Sequence, residues 1–177
     1  MNIAEAQRDI RRAYTGGGPG LIFSAVVWLA AALAQTSHGT AFAFGLLFIG
    51  GMAIFPAGLA LSRLVFRRAA ETKGNPLGIT ALESTICMIG GLIAAWLMLP
   101  LKPAWVFPLA AIAVGTHFAV FKTVYGDRLF WVLGAALTGI GCYAIFAGPL
   151  PFGVGFVVAA TEAVFGIILT ARAIIAK

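Results

Sequence analysis

Apolar runs follow one another from Gly18 almost to the C-terminus, and only short gaps part them. A bilayer core is about 30 Å thick, and a helix rising about 1.5 Å per residue needs about 20 apolar residues to cross it. Six runs meet that length: 18–35, 41–66, 79–99, 105–121, 129–148 and 152–175. They are continuous rather than alternating, which argues against a lipid-facing β-barrel. None of the gaps can hold a soluble domain. The expected fold class is all-α: a polytopic integral membrane protein built as a six-transmembrane-helix bundle. It forms one domain over residues 18–177, preceded by a cytoplasmic or interfacial segment over residues 1–17.

Composition agrees. The chain is 61% hydrophobic and only 10% charged, where a soluble domain carries about 25% charged residues. Too few charges remain to cover a water-soluble globule of this size.

The basic residues give sidedness. With the N-terminus inside, the cytoplasmic set is Arg8, Arg11, Arg12, Arg63, Arg67, Arg68, Lys73, Lys122, Arg128, Arg172 and Lys177, and Lys102 alone falls outside. Both termini are therefore expected in the cytoplasm. The net charge of +6 reads as a topology signal. Its natural partner is the anionic headgroups of the bilayer, not nucleic acid. A second copy of the chain or another membrane protein is the other partner class this architecture suits. The segment 4–14 reads as an interfacial helix with its arginines at the headgroups.

Helices in lipid approach each other through small residues. Gly90, Gly91, Ala94 and Ala95 mark such a face on the third run. Gly134, Thr138, Gly141 and Cys142 do so on the fifth, and Gly155, Ala159, Gly166 and Thr170 on the sixth. Pro56, among Gly50, Gly51 and Gly58, predicts a kink in the long second run. The stretch Leu46–Phe55 resembles Leu137–Phe146 at a constant offset, as a three-plus-three inverted repeat would produce.

Three ionisable side chains remain inside the runs: Glu162, Glu83 and His117. A charge at the bilayer centre costs about 2.5–3.5 kcal/mol on insertion scales, so such a residue needs a reason. Glu162 lies near the middle of the last run, on its small-residue face. It is expected to point into the bundle, as a proton or cation carrier or substrate contact, or else as a neutral carboxyl hydrogen-bonded across a helix interface. Glu83 lies one turn into the third run. Its face, continued by Cys87, Gly90 and Ala94, is expected to point inward, and Glu83 itself to snorkel, to pair with Arg63 or Arg128, to complement the helix dipole in the first turn, or to join Glu162 in a site. His117 is expected as a hydrogen-bonded interior group. Neither a metal-ligand spacing nor a nucleophile motif is present, so no catalytic residue, metal or cofactor is assigned. Cys87 and Cys142 differ in depth, which argues against a disulfide.

Three further stretches lie on the cytoplasmic side: Gly16-Gly17-Gly18-Pro19-Gly20 followed by Trp28, Gly74-Asn75-Pro76-Leu77 followed by Ala81-Leu82-Glu83-Ser84-Thr85, and Tyr125-Gly126-Asp127-Arg128 followed by Trp131, Leu133 and Gly134. Together they resemble a family of small six-span bacterial membrane proteins carrying a domain of unknown function. The resemblance implies a multi-pass protein of a bacterial inner membrane. It assigns no substrate, and it draws attention to Glu83 and the loop Tyr125–Arg128. From the residues themselves, Tyr125, Asp127, Arg128 and Arg63 are candidate cytoplasmic-side contacts, with Asp127 and Arg128 expected as a local ion pair. The functional expectation is a proton- or cation-coupled small-solute transporter or channel subunit, or a non-enzymatic accessory protein that binds a membrane protein or lipid.

Overall fold

The computed structural model describes residues 1–175, and every element in that range is helical. Lys177, counted above with the cytoplasmic charges, lies outside the described residues. The elements are α1 (Ile3–Ala13), α2 (Gly18–Ala60), α3 (Pro76–Leu97), α4 (Val106–Tyr125), α5 (Leu129–Phe146) and α6 (Val154–Ile175). Five segments are long and apolar enough to cross a membrane. The first of them, Thr15–Val65, holds 51 residues, which would reach about 76 Å if straight.

It is not straight. Gly39 has φ 79 and ψ 172, values no helix contains, and helical geometry resumes at once beyond it. The two arms fold back on each other: a Cβ on Gly50 would sit 2.8 Å from Val27, and one on Gly58 would sit 2.8 Å from the Gly20 backbone. Residues 36–40, expected as an open connector, are helical up to this single reversal. Gly39 can take that conformation because it has no Cβ. Pro56, expected to kink the second arm, lies inside the helix, with helical backbone angles around it. The departure comes later, where residues Leu61–Val65 widen into a π turn.

The helices pack through small residues, as glycine permits close approach of backbones in lipid. In the α4–α5 seam Gly115 faces Gly134 and Thr138, and Gly141 faces Pro108 and Ile112. In the α3–α4 seam Gly91 meets Ala113. In the seam between the first arm of α2 and α6, Gly18 faces Gly166 and Thr170, and Gly155 faces Ala32. Trp28 is buried beside Phe107, the ring centroids 6.0 Å apart at 66°.

The turn into α2 explains the glycine triplet. Thr15, Gly16 and Gly17 all have positive φ, and Gly17 lies so close to Tyr125 and Phe130 that a Cβ would stand 3.0–3.1 Å from their rings. Only glycine combines that backbone with that contact. Helix α1 begins with a capping box between Asn2 and Glu5. It buries Ala6, Ile10 and Ala13 against protein. Its arginines also bond to the protein: Arg11 donates to the Tyr125 carbonyl, and Arg12 pairs with Asp9 and reaches the Ala70 carbonyl, while Arg8 and Arg12 stay exposed.

Candidate functional site

The three intramembrane ionisable groups have three different surroundings. Glu162 is fully buried in the seam between α6 and the first arm of α2. Neither carboxyl oxygen has a hydrogen-bond partner. Ser24 faces it from the first arm, with its own side chain 4% exposed. Ser24 is thus the group across the interface that interacts with the carboxyl, although neither oxygen meets hydrogen-bond geometry in this state. A buried polar group left unsatisfied costs about 1–3 kcal/mol, so this seam carries an energetic burden that an apolar residue would remove.

His117 behaves as expected. It is buried in the α3–α4 seam, its Nδ1 is 2.9 Å from the Ser84 hydroxyl, and its ring lies 4.4 Å from that of Phe121. Glu83 does not. It is exposed, as are Cys87, Gly90 and Ala94 on the same face of α3. The expected inward face is thus an outward one. Helix α3 turns Ser84, Leu92 and Ala95 inward instead. Among the described residues the ion pairs are Arg12–Asp9 and Arg172–Asp127, so Glu83 meets neither Arg63 nor Arg128. Both cysteines are free.

The cytoplasmic-side candidates form one polar cap. Asn75 caps α3 by accepting the Leu77 N–H at 3.0 Å, and its side-chain amide donates to the Ala6 carbonyl and to Asp9, each at 3.1 Å. Asp9 also accepts the Thr72 N–H at 2.7 Å. Burial raises the Asp9 carboxyl, but the bonds from Arg12, Thr72 and Asn75 outweigh it and hold the group down at about 2. Tyr125 is buried and stacked on Phe130 at 4.9 Å. Asp127 accepts the Leu129 N–H at 3.0 Å and pairs with Arg172 at 3.1 Å. This replaces the expected Asp127–Arg128 pair, as Arg128 is exposed. Arg63 donates to the Arg68 carbonyl at 3.2 Å, and Arg68 reaches the Ala173 carbonyl at 2.8 Å.

Beside them lies a cluster that sequence reasoning did not single out. Tyr14 faces Glu71 and Arg63, and burial together with the Glu71 carboxylate pushes the Tyr14 hydroxyl upward from its ordinary range. Glu71 Oε2 and Arg68 Nε are buried without partners. Both belong to a connector that read only as a charged loop. The three stretches that carried the resemblance thus meet on one end of the bundle. Gly17 packs on Tyr125, Asn75 holds α1, and Arg11 holds the Tyr125 carbonyl.

No group of three or more histidine, cysteine or acidic side chains able to hold a metal occurs among the described residues. In comparisons with known proteins, a family model described as "Family of unknown function (DUF7010)" matches residues 3–172. No curated protein and no solved structure matches the chain.

Proposed function

Because the chain belongs to the DUF7010 family, to which no activity is attached, we propose its function from the geometry: a small membrane transporter or channel subunit coupled to a proton or cation. Glu162 carries the reading. A carboxyl that is central in its helix, fully buried and without a partner destabilises the state in which it stands. It makes sense as a group that takes up a ligand in one state and gives it up in another. The proposal includes six spans. The reversal at Gly39 supports it, as it divides the longest apolar segment into two arms that lie side by side. It places both termini in the cytoplasm of a bacterial inner membrane, in keeping with the distribution of basic residues. The stretches Leu46–Phe55 and Leu137–Phe146 lie on the second arm of α2 and on α5, each the second member of a helical hairpin, as an inverted repeat requires. In this reading the chain performs no covalent chemistry.

The test is flux. Purified protein in liposomes is given a potassium diffusion potential with valinomycin, and proton entry is followed with an internal pH dye. Wild type is expected to carry protons at several-fold the rate of empty liposomes, and Glu162→Gln to fall to their level. Equal rates for the two proteins would remove the reading.

One observation favours a second reading, an accessory protein that binds another membrane protein or a lipid. Glu83 stands exposed on the small-residue face of α3, where a neighbour could satisfy it. Co-purification of a stoichiometric partner lost in Glu83→Leu would support it.

A further inference from the structure

Eight polar side chains are buried among the described residues: Thr15, Ser24, Ser62, Asn75, Ser84, His117, Glu162 and Thr170. Their distribution around Glu162 is one-sided. On α6, Glu162, Gly166 and Thr170 fall at intervals of four and so share one face toward the first arm of α2. Thr170 lies about 12 Å from Glu162 along the helix, in the direction of α1. There it touches Gly18. Thr15, three residues before Gly18, shares a hydrogen bond with Ser62 of the π turn at 3.3 Å. Next to Thr15 stands Tyr14, which faces Glu71. Toward the opposite end of α6 the seam changes character. Gly155 packs against Ala32 and Phe107, Trp28 lies beside Phe107, and the buried residues there, Val158 and Ala159 among them, are apolar.

We propose that Glu162 exchanges its ligand with the face of the membrane that bears α1, through the half of the α2–α6 seam lined by Ser24, Thr170, Thr15 and Ser62. The ligand is a proton. The inference rests on the transporter reading above and assigns that site its ligand and its side of access. Water needs polar partners to occupy a protein interior, and only this half of the seam offers them. A dehydrated metal cation needs about six oxygen ligands, whereas Glu162 and Ser24 supply three. The Thr161 and Thr170 hydroxyls of α6 donate to the Val157 and Gly166 carbonyls of their own helix. The groups that face Glu162 across the seam include no second titratable side chain; Ser24 is the polar one. His117 is committed to Ser84 in another seam.

In the state described, the seam is shut, as Gly18 and Gly166 bring the two backbones into contact. Exchange therefore requires this half to part while the Trp28–Phe107 end stays closed. Beyond Thr15, the neighbouring Tyr14 faces Glu71, whose buried Oε2 has no hydrogen-bond partner and is the acceptor at that end able to take up a proton.

Thiol labelling tests the route. In a background with Cys87 and Cys142 replaced by serine, Ser24→Cys, Thr170→Cys and Ala159→Cys are made singly and reconstituted. A small, charged, membrane-impermeant methanethiosulfonate is added to one face at a time. Only a hydrated thiol ionises and reacts. The expected result is modification of Thr170→Cys and Ser24→Cys from the α1 face alone, at least about tenfold faster than Ala159→Cys from either face. Thr170→Cys inert from both faces, modified from the opposite face, or matched by Ala159→Cys would overturn the route. Flux measured with potassium or sodium in place of the proton gradient reads the ligand, and sodium-dependent flux would overturn the assignment of a proton. Failure of all flux with labelling as expected removes the transporter reading and leaves the route. Proton flux with reversed labelling removes the route alone.

Discussion

Two seams of this bundle bury an ionisable side chain between helices brought close by small residues, and they treat it in opposite ways. In the α3–α4 seam, His117 shares a 2.9 Å hydrogen bond with Ser84 and lies against Phe121. In the α2–α6 seam, Glu162 is more deeply buried and has no partner. The first arrangement resembles ordinary interior design, in which a buried polar group is satisfied. The second departs from it where a partner could easily have been provided, since Ser24 already faces the carboxyl. A satisfied group is held in place; an unsatisfied one is free to change partners. That difference, and not depth alone, singles out Glu162.

The largest expected effect concerns how tightly each seam is shut. A Cβ on Gly18 would meet backbone, 2.5 Å from the Thr170 nitrogen and 2.7 Å from the Gly166 carbonyl. One on Gly91 would meet the Ala113 methyl at 2.7 Å, which a small shift relieves. Gly18→Ala should cost about 3 kcal/mol and Gly91→Ala about 1 kcal/mol, at the two ends of the overpacking range. Thermal unfolding in detergent micelles gives the order. If Gly91→Ala proves the more damaging, the α2–α6 seam is not the tighter of the two.

Replacing the ionisable groups themselves should change stability with opposite sign. His117→Leu removes a satisfied group and should destabilise by about 1 kcal/mol. Glu162→Leu removes an unsatisfied one and should stabilise by about 1–3 kcal/mol while abolishing proton flux. Stability traded against activity in this way is the mark of a strained functional group. The same unfolding transitions read both variants. Loss of stability in Glu162→Leu would place the two seams in one class.

The sequence made much of this arrangement legible, and the parts it concealed have physical reasons. Apolar length located the long helices to within a few residues, with the first two runs joined in the one segment Thr15–Val65, because a helix in lipid must satisfy its own backbone. The inward face of α6 was readable because Glu162, Gly155, Ala159, Gly166 and Thr170 lie on one stripe. The face of α3 was not. Gly90 and Ala94 turn outward while Gly91 and Ala95 turn inward, and small residues on both sides leave no contrast to read. The pairing of Asp127 with Arg172, and of Asp9 with Asn75 and Thr72, joins residues far apart in sequence. No local pattern encodes such contacts. For the same reason the burial of Glu71 Oε2 and Arg68 Nε had no sequence signal. Gly39, by contrast, looked like an ordinary turn residue, and only the unbroken helix on either side shows that it alone makes the reversal.

The most discriminating contrast, and in Ser24→Ala the smallest change in stability, belongs to the two serines. Ser84 and Ser24 both face an ionisable group from the neighbouring helix and are 7% and 4% exposed, so truncating either removes the same hydroxyl from a similar degree of burial. Ser84→Ala deprives His117 Nδ1 of its partner and should cost about 1–3 kcal/mol, the penalty of a buried group left unmet. Ser24→Ala removes a contact to Glu162 that falls short of hydrogen-bond geometry and should stay within about 0.5 kcal/mol of wild type, near the range of substitutions that break no strong interaction. In proton flux the order should reverse. Ser24→Ala removes the polar group nearest Glu162 on its hydrated route and should slow transport several-fold, whereas Ser84→Ala, in the other seam, should leave the rate per folded molecule unchanged. Equal costs in unfolding would mean that Ser24 already holds the carboxyl, and the contrast between the two seams would then be lost.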